Sequence, residues 1–181
     1  MTRKTDKGKK TKKKDLEYWL NADFIEPRIR RLVAYFNQIP FLKTTSSCEG
    51  HFSEDDFNFA YVMYKIREGC RIVEGEKKIE KMLSYIIPKI AVYWSDFLGD
   101  FSREYQIGNK NQRSDKNIRF SMRYWDLPEP ENYGIKKQYM LQIEPFMWHK
   151  KNYEECRKIT DNAISIIERI IEEYLRKKGW L

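Results

Sequence analysis

The segment from Thr44 to His51 carries the densest group of reactive side chains in this sequence. It reads Thr-Thr-Ser-Ser-Cys-Glu-Gly-His, so hydroxyls, a thiol, a carboxylate and an imidazole follow one another. Consecutive hydroxyl residues favour an extended backbone with a hydroxyl row on each face, because side chains alternate across a strand. Gly50 then permits a sharp turn. A strand that ends in such a turn presents N–H groups and polar side chains to one ligand, which suits an anion or a cofactor carboxylate.

These residue types allow four interpretations of the segment. Cys48 and His51 have the Cys-x-x-His spacing of a metal half-site, and further ligands could come from Cys70, His149 or Cys156. Cys48 could instead be a thiol nucleophile, with His51 or His149 as its base and N–H groups around Gly50 binding an oxyanion. A third interpretation is a non-covalent junction for a carboxylate or phosphate. The fourth is structural, with Cys48 buried as a small apolar residue before a glycine turn.

Length and composition limit the classes of protein to which this chain can belong. With 181 residues and 41% hydrophobic content, it can bury one core and is too short for two full-sized domains. Its apolar runs are far shorter than the roughly 18 residues of a membrane span, and no apolar stretch follows the lysine-rich start. The three cysteines are widely spaced and do not form a disulfide framework. We therefore expect a soluble, cytoplasmic protein with reduced cysteines and no membrane partner.

The net charge of +8 is concentrated at the start of the chain. Residues 1–14 contain eight lysines and arginines and one aspartate, whereas the chain from Asp15 onward has 27 basic and 26 acidic residues. A run of like charges is disordered in isolation and attracts polyanions through counterion release. The sequence predicts a basic disordered tail over residues 1–14 and a single domain over residues 15–181. A solubilising tail or a cloning remnant would give the same lysines.

Hydrophobic spacing predicts the elements that position the Thr44 segment. Residues 15–19 begin a short helix, and Glu26-Pro27 opens a second helix that ends near Asn37. Its apolar stripe comprises Ile29, Leu32, Val33 and Phe36. Residues 57–66 are rich in aromatic and β-branched residues and predict a strand. Gly75 to about Leu98 predicts a helix that Pro88 kinks or splits.

The second half of the chain predicts an antiparallel sheet followed by a helix. Residues 101–107, 117–127 and 138–148 are strand-like, and the polar residues 108–116 form a hairpin candidate. The last helix begins at Asn152, a potential N-cap with Glu155 three residues later, and ends at Gly179. Together the elements predict an α+β fold, in which helices pack on a mostly antiparallel sheet within a single domain.

Residues 23–51 resemble the start of a known enzyme family. The matching residues are Glu26-Pro27, Ile29, Leu32-Val33, Asn37, Pro40, Thr44-Thr45-Ser46-Ser47-Cys48 and Gly50. This pattern resembles the tRNA wybutosine-synthesis methyltransferases of the third step, which have an acidic-Pro-Ile helix, an asparagine, a proline and a Thr-Thr-Ser-Ser-Cys-x-Gly strand. That family usually has serine and then Gly-Arg after the cysteine, where this chain has Glu49 and Gly50-His51. An arginine clamps a carboxylate or phosphate bidentately, and a histidine does not.

The resemblance implies an α+β fold outside the Rossmann-type methyltransferases, and the sequence has no GxGxxG motif. It implies S-adenosylmethionine as the donor and a tricyclic guanosine derivative in phenylalanine tRNA as the acceptor of an N-methyl group. The cofactor or substrate would lie against Thr45, Ser46, Ser47, Cys48 and Gly50. Glu49 and His51 would then make polar contacts or transfer protons, with His51 as the candidate base. This interpretation assigns no metal ligand.

RNA contacts are expected in two places if the resemblance holds. The cations that would contact tRNA phosphates in the tail are Lys9, Lys10, Lys12, Lys13 and Lys14. A strand with Arg119, Arg123, Tyr124 and Trp125 would offer cations for phosphates and rings for a splayed anticodon base. An ordinary amphipathic sheet edge has the same pattern. Two other functions stay open: a non-catalytic RNA-binding module with a structural Cys48 strand, and a cysteine- or metal-dependent enzyme that acts on another substrate.

Overall fold

Helices pack on a mostly antiparallel sheet, which is the α+β fold that the sequence predicts. The computed structural model describes residues 16–93, 118–125, 138–145 and 151–181. In chain order the elements are α1 (Leu16–Leu20), α2 (Pro27–Gln38), β1 (Leu42–Cys48), β2 (His51–Phe52), β3 (Phe57–Asn58), β4 (Ala60–Ile66), α3 (Ile72–Tyr93), β5 (Ile118–Trp125), β6 (Gln138–Pro145) and α4 (Tyr153–Lys177). β1, β4, β6 and β5 form one sheet in that order, and β2 pairs with β3. Every one of these pairings is antiparallel, so the described sheet is not the parallel sheet of a Rossmann fold.

The apolar stripe of α2 lies in the core, as its spacing predicts. Its members Ile29, Leu32, Val33 and Phe36 are all buried. Pro27 lies in the first turn, where N–H groups have no partner within the helix, so its missing N–H costs no helical hydrogen bond. The helix ends at Gln38, and Ile39 already has an extended backbone. α2 therefore enters the core beside β1, and its first turn lies at the end of β1 where Cys48 and Gly50 follow.

β1 is joined to α2 through the buried side chain of Asn37. The Asn37 Nδ2 atom donates to the Val33 carbonyl and to Thr44 Oγ1, at 3.0 and 2.5 Å. Its Oδ1 atom accepts the N–H of Thr44 at 3.2 Å. The pairing of β1 with β4 shifts between Thr44 and Ser46, so Thr45 is the extra residue of a β-bulge. The asparagine therefore fixes the strand just before the register changes.

The side chains of β4 point alternately to the helix-packed face of the sheet and to the opposite face. Ala60, Val62 and Tyr64 are fully buried among the residues of the main core. Tyr61 and Met63, which alternate with them, are only partly buried. This alternation is what a strand with one covered face requires.

Two predicted elements differ from the structure. Residues 57–66 form two strands, because residues 57–58 pair with β2 across the turn while residues 60–66 join the large sheet. α3 begins at Ile72 rather than Gly75 and continues through Pro88 without being split. Pro88 is exposed, and buried Ile86, Ile87 and Ile90 hold this part of the helix against the core. A proline costs one helical hydrogen bond, which such packing can offset.

α4 begins and ends as its sequence predicts. The Asn152 side chain accepts the N–H of Glu155 at 3.2 Å, which satisfies a free donor of the first turn. At the other end, Gly179 has a φ of +65°, and the N–H of Trp180 donates to the Leu175 carbonyl at 2.9 Å. This is the hydrogen bond of a Schellman motif. Across residues 16–93 and 151–181, no helix combines the length and apolar character needed to cross a bilayer.

Several predicted segments lie outside the described residues. They are the basic tail at residues 1–14, the end of the predicted third helix at residues 94–98, the strand at 101–107, the polar loop at 108–116, and the ends of the strands predicted at 117–127 and 138–148. Residues 118–125 and 138–145 of the strands predicted at 117–127 and 138–148 are confirmed as β5 and β6.

Candidate functional site

Gly50 turns the chain sharply between β1 and β2. Its φ is +94°, a conformation that residues with a side chain rarely adopt. A Cβ atom at this position would lie 3.2 Å from the Ala60 nitrogen and 3.1 Å from Cε2 of Phe52. The absence of a side chain therefore lets the turn approach β4 closely. This places His51 beside Cys48 and toward the first turn of α2.

Two hydrogen bonds connect this turn to the start of α2, one accepted by Glu26 and one accepted by Glu49. The Oε2 atom of Glu26 accepts the N–H of Glu49 at 2.6 Å. The carboxylate of Glu49 in turn accepts the N–H of Arg28 at 2.9 Å. Arg28 is in the first turn of α2, where N–H groups lack helical partners and a negative charge is stabilised. Glu49 therefore acts as the cap of α2, which explains why Glu26 makes no capping bond of its own.

Both ring nitrogens of His51 face carboxylates. Nε2 lies 2.7 Å from Oε1 of Glu26, and Nδ1 lies 3.4 Å from Oδ2 of Asp56. A neutral imidazole donates from one nitrogen only, so the shorter contact favours a proton on Nε2 and leaves Nδ1 as the acceptor. The His51 side chain is 37% exposed and that of Asp56 is 69% exposed. Nδ1 can therefore be reached from solvent once Asp56 moves aside.

Cys48 lies under the turn and is 5% exposed. Its Sγ atom accepts the N–H of Gly50 at 3.4 Å. Burial raises the pKa of the thiol above its usual value, and nearby Glu26 raises it further. Because the thiolate is the nucleophilic form, this environment does not favour the thiol-nucleophile interpretation. One ligand atom from each of Glu26, Cys48 and His51 lies within 4.8 Å of the other two.

Arg28 holds the site against α4. Its Nε donates to Oδ1 of Asp161 at 2.9 Å, and its Nη2 donates both to Oγ of Ser165 at 2.7 Å and to the Asp161 carbonyl. The Arg28 backbone N–H simultaneously donates to Glu49. One residue therefore couples the turn, the first turn of α2 and the middle of α4.

Glu168 is a buried carboxylate of α4 beside Arg28. It is 8% exposed, and its Oε1 atom has no hydrogen-bond partner. The nearest cationic contact of this oxygen is Nη1 of Arg28 at 3.7 Å. Burial raises the pKa of Glu168 more than Arg28 and Arg31 lower it. The carboxylate is thus under-satisfied for a charged group in such a position.

We expect Glu168→Gln to make the protein more stable at neutral pH. A carboxyl whose pKa is higher in the folded than in the unfolded protein binds more protons in the native state. The free energy of unfolding therefore falls as pH rises from the unfolded pKa to the folded pKa. The glutamine of the variant does not titrate, so the variant is spared this loss of stability. Its advantage in the free energy of unfolding, measured with urea, should be small at low pH and grow through this window toward neutrality.

Glu172→Gln is the matched control, one turn further along α4. A hydrogen bond from Tyr35 lowers the pKa of Glu172, with Arg176 adding to the effect. The wild-type carboxylate therefore contributes stability above its unfolded pKa, and that contribution disappears as pH falls through the folded pKa. The two variants should show opposite trends with pH. Parallel trends would contradict the assignment for Glu168.

The structure brings together part of the predicted site. Cys48, Glu49, Gly50 and His51 meet at one turn, although Glu49 serves as a helix cap. Thr45 is exposed at the bulge, and Ser46 contacts the Tyr61 hydroxyl at 3.4 Å. Strand alternation places Ser47 on the other face from Ser46 and Cys48. The predicted hydroxyl residues therefore do not converge on one ligand.

Sequence reasoning missed two residues of the site, Glu26 and Asp56. In the sequence the Glu26-Pro27 pair marks only the start of α2, although a glutamate before a helix can also reach a distant turn. Asp56 lies in a run of acidic residues that gave no reason to choose one of them. The metal half-site interpretation also named other partners. Within the described residues, Cys70 and Cys156 are not part of the cluster, and His149 lies outside those residues.

The predicted RNA contacts are only partly within the described residues. Lys9, Lys10, Lys12, Lys13 and Lys14 lie outside them. In the β5–β6 register, Arg119 is opposite Glu144, Arg123 opposite Met140, Tyr124 opposite Tyr139 and Trp125 opposite Gln138. The backbone thus confirms a strand at these positions, and the role in RNA binding stays a prediction.

A separate cleft lies at the opposite end of β1 from Cys48. It is bordered by Phe41, Trp180 and the end of α4, and cations line it. These cations are Arg67, Lys78, Lys81 and Lys178. Cys70 also lies in this cleft, which separates it from the turn at Gly50. Apart from Cys70, the cleft contains none of the residues that the sequence offers as site candidates.

The fold and the site define an α+β protein with a Glu-His-Asp cluster at a glycine turn. No family model, no curated protein and no solved structure matches this chain. The turn, its carboxylates and the sequence motif that contains it are therefore the features that bear on function.

Proposed function

We propose that this protein transfers a methyl group from S-adenosylmethionine to a nitrogen of a tricyclic, wybutosine-type guanosine derivative in tRNA. The observation that carries the proposal is the position of His51. It follows a Thr-Thr-Ser-Ser-Cys-x-Gly strand like that of the wybutosine-synthesis methyltransferases, and carboxylates face both of its ring nitrogens. A held imidazole next to such a strand is what a methyl transfer with proton removal needs.

The reaction requires one proton acceptor. The acceptor nitrogen attacks the methyl carbon, the bond from that carbon to the sulfonium sulfur breaks, and the sulfur leaves as a neutral thioether. The methylated nitrogen then loses its proton to a base. With Nε2–H of His51 held by Glu26 at 2.7 Å, Nδ1 is the atom that takes this proton. Glu26 is a positioning residue, and it stabilises the imidazolium that forms.

The charge of the turn suits the donor. Glu26 and Asp56 place two carboxylates at the imidazole, and neither is paired with a lysine or arginine among the ion pairs of the described residues. A sulfonium is a cation, so these carboxylates attract it over the short distance at which charges act strongly. An exposed hydroxyl of β1, Thr45 or Ser46, would contact its carboxylate, because the N–H groups of Glu49 and Gly50 already donate within the turn. The tRNA phosphates would be contacted by cations elsewhere, including the lysines of residues 9–14.

Calorimetric titration with S-adenosylmethionine tests the proposal. We expect one donor to bind per chain, and to bind more tightly than S-adenosylhomocysteine, which lacks the positive charge. The titration is made with chelator present, alone and with unfractionated tRNA. Transfer of a labelled methyl group to that tRNA, followed by nucleoside mass spectrometry, identifies the acceptor.

Folded protein that gives no heat under either condition would overturn the proposal. Salt-sensitive RNA binding without donor binding would instead support a non-catalytic RNA-binding module. A Cys48→Ser variant separates these cases further, because a module with a structural Cys48 strand should keep its RNA affinity.

A further inference from the structure

We propose that Glu26, Cys48 and His51 form a zinc site at the Gly50 turn. Their ligand atoms lie within 4.8 Å of one another. A tetrahedral zinc ion with bonds of about 2.0–2.3 Å holds its ligand atoms about 3.3–3.8 Å apart, so small side-chain movements would complete the geometry. A thiolate, an imidazole and a carboxylate are all ligands that zinc accepts, and the mixture disfavours calcium and magnesium. The inference stands on this geometry and does not depend on the proposed methyl transfer.

The contacts among the three groups show where the ion would lie. Oε1 of Glu26 contacts His51 Nε2 at 2.7 Å, and the Cys48 thiol lies within 4.8 Å of both groups. The first of these contacts holds a proton between two potential ligands. A dication at the same place would displace the thiol proton to the solvent and bind the thiolate. The ring proton moves from Nε2 to Nδ1, so Nε2 offers its lone pair to the metal.

Each of the three ligands has an outer partner that favours its metal-bound form. Asp56 lies 3.4 Å from Nδ1 of His51, in the position to accept the proton that zinc displaces to that nitrogen. The Gly50 N–H donates to Sγ of Cys48 at 3.4 Å, which stabilises a thiolate. The Glu49 N–H donates to Glu26 Oε2 at 2.6 Å and leaves Oε1 for the metal. Such outer contacts orient ligands in established metal sites.

Charge and access also fit zinc. A thiolate and a carboxylate together balance a dication, so the complex with neutral His51 has no net charge. Cys48 is buried, whereas the side chains of Glu26 and His51 are 35% and 37% exposed, which gives the ion a path from solvent. Three protein ligands leave the fourth zinc position for water or substrate, as in catalytic rather than structural sites.

The zinc site has a consequence for the proposed reaction. Zinc on Nε2 places a proton on Nδ1, the atom that would accept the proton in methyl transfer. Zinc and the general base therefore exclude each other. If the proposed function is correct, stoichiometric zinc should suppress transfer, and a chelator should restore it.

Metal-free protein titrated with zinc chloride by calorimetry tests the site directly. We expect one zinc per chain, with release of at least one proton when the heats are compared in two buffers of different ionisation enthalpy. Cobalt(II) in place of zinc should produce the near-ultraviolet charge-transfer band of a cobalt–thiolate bond. Neither measurement requires S-adenosylmethionine or tRNA, so their failure is distinct from failure of the proposed function.

Cys48→Ser should abolish the cobalt–thiolate band and stoichiometric zinc binding, whereas Cys70→Ser should leave both unchanged. Asp56→Asn changes an exposed side chain and should preserve the fold while weakening zinc affinity about 10- to 100-fold. Folded wild-type protein that binds no zinc, or a band that survives in Cys48→Ser or disappears in Cys70→Ser, would overturn the inference. Unchanged affinity in Asp56→Asn would do the same for the orientation argued here.

Discussion

Replacing His51 with alanine should lower the rate of methyl transfer about 10²- to 10⁴-fold, the usual contribution of a positioned general base. The ring is the group that accepts the proton in the proposed reaction, and its two carboxylate partners cannot take over its position. The measurement is the single-turnover rate with labelled S-adenosylmethionine in the presence of chelator. Donor affinity should change little, because the imidazole acts on the acceptor.

Two neighbours of His51 provide controls with different expectations. Glu26→Gln keeps the size of the side chain but removes the charge that stabilises the imidazolium, so it should lower the rate and shift its pH profile. Asp56→Asn should lower the rate less, because Asp56 has to move aside for Nδ1 to be reached. A wild-type rate in His51→Ala, with the fold confirmed by circular dichroism, would remove His51 from the reaction.

Replacing Gly50 with alanine should destabilise the protein more than any other single change predicted for the site. A residue with a side chain at φ +94° costs about 1–3 kcal/mol in backbone strain. The new Cβ would also meet Ala60 and Phe52 at 3.1–3.3 Å, and overpacking of this kind costs about another 1–3 kcal/mol. The sum would be a large part of the stability of a small protein. Urea unfolding measures the loss.

Gly69→Ala is a matched control for this change. Gly69 has nearly the same φ, +89°, but a Cβ added there meets nothing within 4 Å. The stability lost in Gly69→Ala should therefore reflect backbone strain alone. The difference between the two losses therefore measures how closely the Gly50 turn approaches β4. Equal losses would mean that the turn relaxes away from β4, and the close approach described for the site would then be wrong.

The sequence predicts best those elements whose signals are local. The stripe of α2 repeats with helical spacing, and Asn152 and Gly179 mark the ends of α4 through the capping chemistry that the structure contains. β1 follows from its run of hydroxyl residues. Residues 57–66 are different, because aromatic residues continue through two strands that pair with different partners. Local composition does not specify which partner a strand chooses.

The residues of the site also differ in whether a local signal identifies them. Cys48, Glu49, Gly50 and His51 are adjacent in sequence, so a single motif identifies them. Glu26 reaches the turn from the start of a helix, and this contact depends on how α2 packs against β1. The hydroxyl residues of β1 show the opposite error. The resemblance assigns them together to one ligand, although the alternation expected from the sequence already divides them between two faces of the strand.

The contacts of Arg28 have a consequence for the order of folding. They join the first turn of α2 to residues more than 130 positions later in the chain. Contacts of such long range form late, because a large loop has to close before they contribute any stability. During synthesis, the turn at Gly50 would leave the ribosome long before its support on α4 exists. The turn at Gly50 should therefore acquire its final support only after α4 has been synthesised.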